Sequence, residues 1–415
     1  MKTLLFNPAQ ILTVNTNGKN FKRGNELGDI SVLENSSVIV EDDKISNILS
    51  NDKITEFKYD QKIDLTNKIL LPGLVEAHTH LVFAGSRANE FGMRLSGKSY
   101  EEIANSGGGI NSTVKAVRES SFEELLELSL QRVQKFIEQG VTTLEIKSGY
   151  GLSFYDEIKI LQVIKELNSI FPIDIKATFL GAHTFPPEYR NDQNQYIKIL
   201  TKEIIPFITK NNLADSCDAF CEKTAFISTQ IDEIFSAAKE NNLEVKLHTD
   251  QFNVIGGIET ALKFDAQSVD HLEVIDENGI EIIAKSNSVA VLLPGVSFSL
   301  NYQFAPARKL IEKNAIVSLA TDYNPGSSHI NNISLIWGLA ALKMNIKIEE
   351  IISAYTINAA KALSLSEKIG SIEIGKNADF SVFNTSNYND LIYFIGQNLC
   401  STTIKNGKVI YEKKS

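Results

Sequence analysis

The stretch Leu71-Pro-Gly-Leu-Val-Glu-Ala-His78-Thr-His80-Leu-Val-Phe-Ala-Gly85 is an apolar run that leads into two histidines separated by one residue. In a β-strand, side chains two residues apart point to the same face, so His78 and His80 can direct both imidazoles at one point. Two neutral imidazoles that converge form half of a transition-metal site. A short His-x-His motif alone fits two ordinary histidines equally well, so the metal interpretation depends on further ligands elsewhere in the chain.

Downstream of this stretch, apolar strand-like segments alternate with helix-like segments. Ser121-Phe-Glu-Glu124 has the pattern of a capping box, and the amphipathic run that follows it ends at Gly140. Counted from Leu74-Val75, the alternation gives eight β/α steps, which predicts an α/β protein with a closed (β/α)8 TIM-like barrel. The other strand-like segments are 141–146, 173–180, 219–221, 243–247, 268–270, 289–293 and 315–320.

Short β-like segments fill the chain before residue 71 and return after residue 365. Asp42-Asp43 is a turn signal between two of them, and Asn406-Gly407 indicates a hairpin. Neither end of the chain is long enough to form a core alone, so we expect both ends to pair into one small discontinuous β domain. The predicted division is therefore 1–70 and 366–415 for this composite β domain, and 71–365 for the barrel.

The composition of the 415-residue chain argues against several classes of function. A formal net charge of −10 without a basic cluster argues against a nucleic-acid partner. No apolar run is long enough to span a bilayer and no signal peptide is evident, so we expect no membrane partner. Three cysteines, an odd number, do not make a disulfide framework and favour a reducing cytoplasm.

The histidines follow the predicted strands. In a barrel of this type, functional side chains gather at the C-terminal ends of the strands. Five of the six histidines fall at such ends and Asp322 closes the eighth strand, whereas His329 is expected to be structural or peripheral. Scattered histidines would not keep to strand ends, so the set predicts a metal site. The five are His78 and His80 on the first strand, His183 on the third, His248 on the fifth and His271 on the sixth.

This arrangement resembles the metal-dependent amidohydrolase superfamily, whose signature is His-x-His on strand one, further histidines on strands five and six, and an aspartate on strand eight. Within that superfamily, the chain is similar to the imidazolonepropionase family over nearly its whole length. Members of that family open 4-imidazolone-5-propanoate to N-formimino-L-glutamate in histidine degradation. The motifs that carry the similarity lie at 82–100, 107–113, 145–152, 181–183 and 321–327.

The resemblance implies roles for the residues that match the family's motifs. His271 would be the catalytic histidine beside the metal. The implied ligands of one divalent ion, Zn²⁺ first with iron or manganese as alternatives, are His78, His80, His248 and Asp322. The implied contacts to a small-molecule substrate are Arg87, Tyr150, His183, Gln251, Asn324, Gly326 and Ser327. A homodimer is the default expectation for the oligomeric state.

Gln251 separates this chain from the deaminases of the superfamily, which typically carry glutamate three residues after the strand-five histidine. Because an amide cannot act as a general acid or base near neutral pH, this position favours hydrolysis of a cyclic amide over deamination. Proton transfer then falls to Asp322, which would take the proton of a metal-polarised water, and to His271. Arg87, with its fixed fork of donors, suits the propanoate carboxylate of the substrate.

Three alternatives stay open at this level. The nearest is another heterocycle amidohydrolase or deaminase of the same superfamily, against which Gln251 and Arg87 argue. A catalytically inactive barrel scaffold would be expected to have lost ligands, and all of them are present. A carboxylated lysine bridging two metals would need Lys147 or Lys223, but Lys147 is on the wrong strand and Lys223 lies beyond its apolar run.

Overall fold

The computed structural model describes residues 1–98 and 108–414, so Tyr100 and Gly107, which end and begin two of the quoted motifs, lie outside the described residues. The described strands form three sheets. In chain order they are β1 (Lys2–Phe6), β2 (Gln10–Leu12), β3 (Val32–Leu33), β4 (Ser36–Glu41), β5 (Lys44–Ser50), β6 (Gln61–Asp64), β7 (Ile69–Pro72), β8 (Leu74–Glu76), β9 (Val141–Lys147), β10 (Asp174–Ala182), β11 (Ser216–Cys221), β12 (Glu244–Thr249), β13 (Ser268–His271), β14 (Val289–Leu292), β15 (Ile316–Leu319), β16 (Phe380–Phe383), β17 (Cys400–Lys405) and β18 (Lys408–Glu412).

The α-helices mostly follow the strands of the barrel, and the helix start predicted at Ser121 is confirmed. Ser121 and Glu124 cap α3 reciprocally at 3.1 and 2.8 Å, and Ser153 Oγ accepts from the Asp156 amide at 3.1 Å before α4. Within the described ranges, no helix has the length and apolar character that crossing a bilayer requires. The helices are α1 (Ala88–Leu95), α2 (Ile110–Glu119), α3 (Phe122–Ile137), α4 (Phe154–Ile170), α5 (Gln193–Ile199), α6 (Ile205–Lys210), α7 (Ser228–Glu240), α8 (Gly257–Lys263), α9 (Glu277–Ala284), α10 (Pro294–Leu300), α11 (Ala307–Glu312), α12 (Ile333–Met344), α13 (Ile348–Ala354), α14 (Ile357–Ala362) and α15 (Asp390–Tyr393).

Strands β8 to β15 form one parallel sheet in chain order, which confirms the predicted (β/α)8 architecture. Backbone hydrogen bonds join its two ends just beyond β8 and β15. The His80 amide donates to the Tyr323 carbonyl at 2.9 Å, and the Asp322 amide donates to the His78 carbonyl at 3.1 Å. The sheet therefore closes at the C-terminal ends of its first and eighth strands, where the sequence places metal ligands.

Both ends of the chain contribute to one six-stranded sheet, ordered β18-β17-β16-β7-β2-β3. Strand β16 from the C-terminal part pairs antiparallel with β7, which in turn pairs parallel with β2. The predicted hairpin joins β17 to β18, and both Asn406 and Gly407 have positive φ, as a tight type I′ turn requires. The composite β structure is confirmed, whereas the predicted boundaries at residues 70 and 366 stay a prediction.

Candidate active site

Three imidazoles and one carboxylate meet at the C-terminal end of the barrel. The Nε2 atoms of His78 and His80 are 3.3 Å apart, and those of His248 and His80 are 3.5 Å apart. Asp322 Oδ1 lies 3.3 Å from the Nε2 atoms of both His78 and His80. All four side chains are buried. The structure thus brings together the four residues that the sequence predicts as ligands.

This donor set fits a divalent metal ion. Asp322 Oδ1 is buried, yet it has no well-oriented hydrogen bond within the described part of the chain. Burial alone would raise the pKa of Asp322, but His78 and His80 hold it well below its usual range. An anionic oxygen and three imidazole nitrogens that face one point would be costly to bury without a common partner. Nitrogen and oxygen donors in this combination suit zinc and related ions, so the chain has the residues for a metal cofactor.

Two carboxylates hold the opposite edges of two of these imidazoles. His78 Nδ1 donates to Asp270 Oδ2 at 2.6 Å, and His248 Nδ1 donates to Asp218 Oδ1 at 3.1 Å. Since a carboxylate only accepts, each Nδ1 carries a proton, which leaves the Nε2 atom of each ring as the one that can bind a metal ion. Sequence analysis missed Asp218 and Asp270. The available signal was a single carboxylate inside an otherwise apolar strand.

Lys147 lies against both of these carboxylates. Its Nζ is 2.7 Å from Glu145 Oε1, 2.8 Å from Asp218 Oδ2 and 3.7 Å from Asp270 Oδ2. Burial opposes its charge, but Asp218 and Glu145 outweigh burial and raise the pKa of Lys147 well above its usual value. A carbamate forms on a neutral amine, so this ion-paired Lys147 does not fit a metal-bridging role. Lys223 is exposed.

The Arg87 guanidinium packs against the loop that follows the eighth strand. A Cβ built at Gly326 would collide with Arg87 Nη1, so only glycine allows the guanidinium this close to the loop backbone. Arg87 Nε donates to Glu90 Oε2 at 2.9 Å, and both side chains are largely buried. The Nε edge of the guanidinium is therefore committed to Glu90, while Nη1 lies against Gly326.

Asn324 shapes this same loop. Its Oδ1 accepts from the amides of Gly326 at 2.8 Å and Ser327 at 2.7 Å, and its Nδ2 donates to the Asp322 carbonyl at 2.7 Å. The Asn324 amide is thus engaged with its own loop, next to the predicted ligand Asp322. The structure places Asn324, Gly326 and Ser327 together, whereas their contact with substrate stays a prediction.

Tyr150 and His183 lie beside His80. Their ring centroids are 5.8 and 5.3 Å from that of His80, and 5.5 Å from each other. His183 Nδ1 donates to the Gly149 carbonyl at 3.1 Å. Burial and the neighbouring His80 lower the pKa of His183 to about 3, so its ring is neutral and its Nε2 carries a lone pair.

His271 lies against His248, one of the predicted ligands. The His271 ring centroid is 5.3 Å from that of His248, and its backbone adopts φ +87°, a conformation that non-glycine residues rarely hold without support. Gln251 is buried two residues beyond β12. His329 packs against Phe91 in α1, with ring centroids 6.2 Å apart, and its peripheral place stays a prediction.

Comparison with known proteins identifies the family. Residues 69–410 match the Amidohydrolase family. The chain is 42% identical over 414 residues to the imidazolonepropionase of Clostridium tetani (strain Massachusetts / E88), with 99% of this chain and 98% of that protein covered. The chain belongs to the imidazolonepropionase family. A second imidazolonepropionase, from Shewanella piezotolerans (strain WP3 / JCM 13877), is 45% identical over 83% of this chain and 85% of its own length.

Solved structures agree on the fold. An adenosine deaminase from Xanthomonas campestris with bound zinc has a TM-score of 0.74 at 17% identity, covering 98% of this chain and 92% of its own. The guanine deaminase of E. coli has a TM-score of 0.74 at 15% identity, covering 100% of both chains. At these identities the likeness concerns the fold alone. Membership of the imidazolonepropionase family confirms the predicted hydrolase of a carbon–nitrogen bond in histidine degradation and does not favour the deaminase alternative.

Proposed function

We propose that the chain opens the ring of 4-imidazolone-5-propanoate by hydrolysing its cyclic amide bond, which gives N-formimino-L-glutamate, with the residue roles given below. The observations that carry these roles are a buried donor set of three histidines and one aspartate, and a largely buried guanidinium against the loop that follows Asp322. The donor set is suited to activating water, and the guanidinium of Arg87 is suited to a carboxylate on the substrate.

His78, His80, His248 and Asp322 would hold one divalent ion, for which Zn²⁺ is our first choice and iron or manganese the alternatives. When bound, such an ion lowers the pKa of a water ligand to about 7 and polarises the carbonyl oxygen of the substrate. The carboxylates of Asp270 and Asp218 keep two of the imidazoles in the tautomer that a metal requires.

Asp322 and His271 carry the proton chemistry in this proposal. Asp322, ionised and buried, accepts a proton from the attacking water. His271 donates a hydrogen bond to the carbonyl oxygen as negative charge develops there. The ring C–N bond then breaks, the leaving nitrogen takes up a proton, and the carbonyl carbon becomes a carboxylate. Gln251 orients the substrate through hydrogen bonds without exchanging protons.

Arg87 would bind the propanoate carboxylate through its two Nη groups, since its Nε already donates to Glu90. Tyr150 and His183 would contact polar atoms of the ring or the carboxylate from the side of His80. Gly326 and Ser327, held in place by Asn324, complete the proposed substrate contacts.

We also propose that the enzyme works in the cytoplasm as a homodimer. Cys217, Cys221 and Cys400 are free and buried, which suits a reducing compartment. The dimer follows only from the prevalence of two-fold assemblies among soluble enzymes.

The decisive test combines elemental analysis of the purified protein with an ultraviolet assay for loss of the imidazolone. We expect one divalent ion per chain and turnover that a chelator removes and added metal restores. Two ions per chain, a carbamate on Lys147 or Lys223, or release of ammonia from guanine or cytosine without turnover of the imidazolone would contradict the proposal.

A further inference from the structure

The loop between β9 and α4 carries Tyr150, and its Gly149 carbonyl accepts the His183 Nδ1 hydrogen bond. We refer to residues 149–152 as the Tyr150 loop. Its backbone is unusual, because Gly149 has φ +109° and Leu152 has φ +50°, a region that leucine rarely occupies. Tyr150 and Leu152 are buried, so the polar groups of this backbone need partners within the protein.

Glu157, in the first turn of α4, supplies the acceptors for this backbone. Its side chain is fully buried, and the mechanism proposed above does not use it. Glu157 Oε1 accepts from the amides of Gly151 and Leu152, both at 2.8 Å, and Oε2 accepts from the amide of Gly149 at 3.1 Å. One carboxylate thus binds three of the four backbone amides of the Tyr150 loop.

Arg118, near the end of α2, supplies the donors. Its Nε donates to the Gly151 carbonyl at 2.8 Å, and its Nη2 donates to the Leu152 carbonyl at 3.0 Å. An ion pair with Glu188 at 2.8 Å fixes the guanidinium from the other side. Side chains from two different helices therefore bind both the N–H and the C=O groups of Gly151 and Leu152. These hydrogen bonds hold the strained backbone in place.

We propose that Glu157 and Arg118 are positioning residues, which fix the Tyr150 ring and, through the Gly149 carbonyl, the orientation of the His183 ring. Neither residue would contact substrate. Their effect would be on how well Tyr150 and His183 bind it, so this inference rests on the proposed function. Displacement of a substrate-contacting group by about 1 Å can cost about 100-fold in rate, which sets the scale of the expected effect.

The test uses Glu157→Gln, with Glu166→Gln as the matched control. Glutamine keeps the size of the side chain but replaces one acceptor oxygen with an NH₂ group, which cannot accept from a backbone amide. The control removes the same charge from an exposed position of the same helix. We expect Glu157→Gln to lower kcat/KM for the imidazolone about 10- to 100-fold, chiefly through KM, with metal content unchanged. Glu166→Gln should match the parent protein.

A double-mutant cycle with Tyr150→Phe separates positioning from general destabilisation. If Glu157 acts through Tyr150, the two substitutions together should cost clearly less than the product of their separate effects. Multiplicative effects on kcat/KM, or an unchanged KM in Glu157→Gln, would overturn the proposal. If Glu157→Gln does not fold, Arg118→Met enters the same cycle, because its partly exposed side chain can be replaced with less disturbance.

Hydrogen exchange gives a readout that does not depend on turnover. The amides of Gly149, Gly151 and Leu152 should exchange faster in Glu157→Gln than in the parent and in Glu166→Gln. Unchanged exchange would refute the anchoring role even if the parent turns over the imidazolone. If Glu157→Gln speeds the exchange of these amides but the parent does not turn over the imidazolone, the anchoring role of Glu157 is supported and the proposed substrate is wrong.

Discussion

Lys147→Met is expected to lower the stability of the fold sharply, because it removes the amine that lies among three buried carboxylates. The Lys147 side chain and those of Glu145, Asp218 and Asp270 have 0% exposure, so solvent does not screen their interactions. Removing one partner of a buried ion pair costs about 3–5 kcal/mol, since the remaining charge is left without compensation. Methionine has a similar length but no donor. Urea denaturation followed by tryptophan fluorescence would measure the loss, because Trp337 is buried.

The same substitution should weaken metal binding without touching a ligand. Lys147 bonds Asp218, and Asp218 in turn holds the Nδ1 edge of His248. Changes to such outer partners cost about 10- to 100-fold in metal affinity. A competition titration with a chelating dye, on protein refilled with Zn²⁺, would measure this shift. Stability should decrease together with affinity, because both depend on one amine.

Lys176→Met is the matched control for this experiment. Lys176 lies on the neighbouring strand β10 and pairs with Asp215, but these side chains are 29% and 40% exposed. A pair of that kind contributes about 0–1 kcal/mol. Parental stability and metal affinity in Lys147→Met, or equal losses in both variants, would refute the view that the buried network supports the ligands.

Substitutions at two further positions test the substrate assignment. Arg87→Ala should lower kcat/KM by a factor of about 10² to 10³ without changing the metal content, because truncating one member of a buried charged pair costs about 2–5 kcal/mol. Arg87→Lys should recover only part of this loss. Parental kinetics in Arg87→Ala would remove the main support for a carboxylate-bearing substrate. Gln251→Glu should retain the metal and gain no deaminase activity in an ammonia-coupled assay, since one carboxylate does not supply the rest of a deaminase site. Release of ammonia from guanine or cytosine by this variant would refute that expectation.

The fold and the four predicted ligands were accessible from sequence because their signals are local. The i, i+2 spacing of His78 and His80 determines a shared direction within a single strand. The alternation of apolar strands with capped helices implies parallel order, and parallel order brings strand ends such as those at His248 and Asp322 to one face. Topology predicted which side chains gather at the strand ends, and the resemblance to the family selected the four ligands among them.

The supporting residues could not be predicted in the same way. Asp218, Asp270 and Lys147 lie on strands that are buried on both faces, where alternation does not indicate which side faces the barrel axis. Glu157 and Glu222 bind mainly backbone amides, and a backbone partner leaves no trace in the sequence. Glu222, for example, accepts from the amides of Phe252 at 3.0 Å and Asn253 at 3.1 Å, immediately after Gln251.

The buried lysines and the predicted ligands are linked through the charge balance of the barrel interior. Four carboxylates lie around the ligand imidazoles, and neighbouring histidine and lysine side chains hold their pKa values below the usual range despite burial. These carboxylates are Glu145, Asp218, Asp270 and Asp322. The amines of Lys147 and Lys246 both donate to Glu145 and offset two of the four negative charges.

Of the charges on these four carboxylates, two then remain without a lysine partner beside the predicted ligands. A divalent ion at the ligands supplies two positive charges at that place, whereas a monovalent ion would leave one carboxylate uncompensated in a buried site. A second divalent ion would reverse the imbalance and place excess positive charge next to Lys147. Glu145 and the two lysines contribute to this count without facing the predicted ligands, and the charges of these six groups match the single divalent ion proposed above.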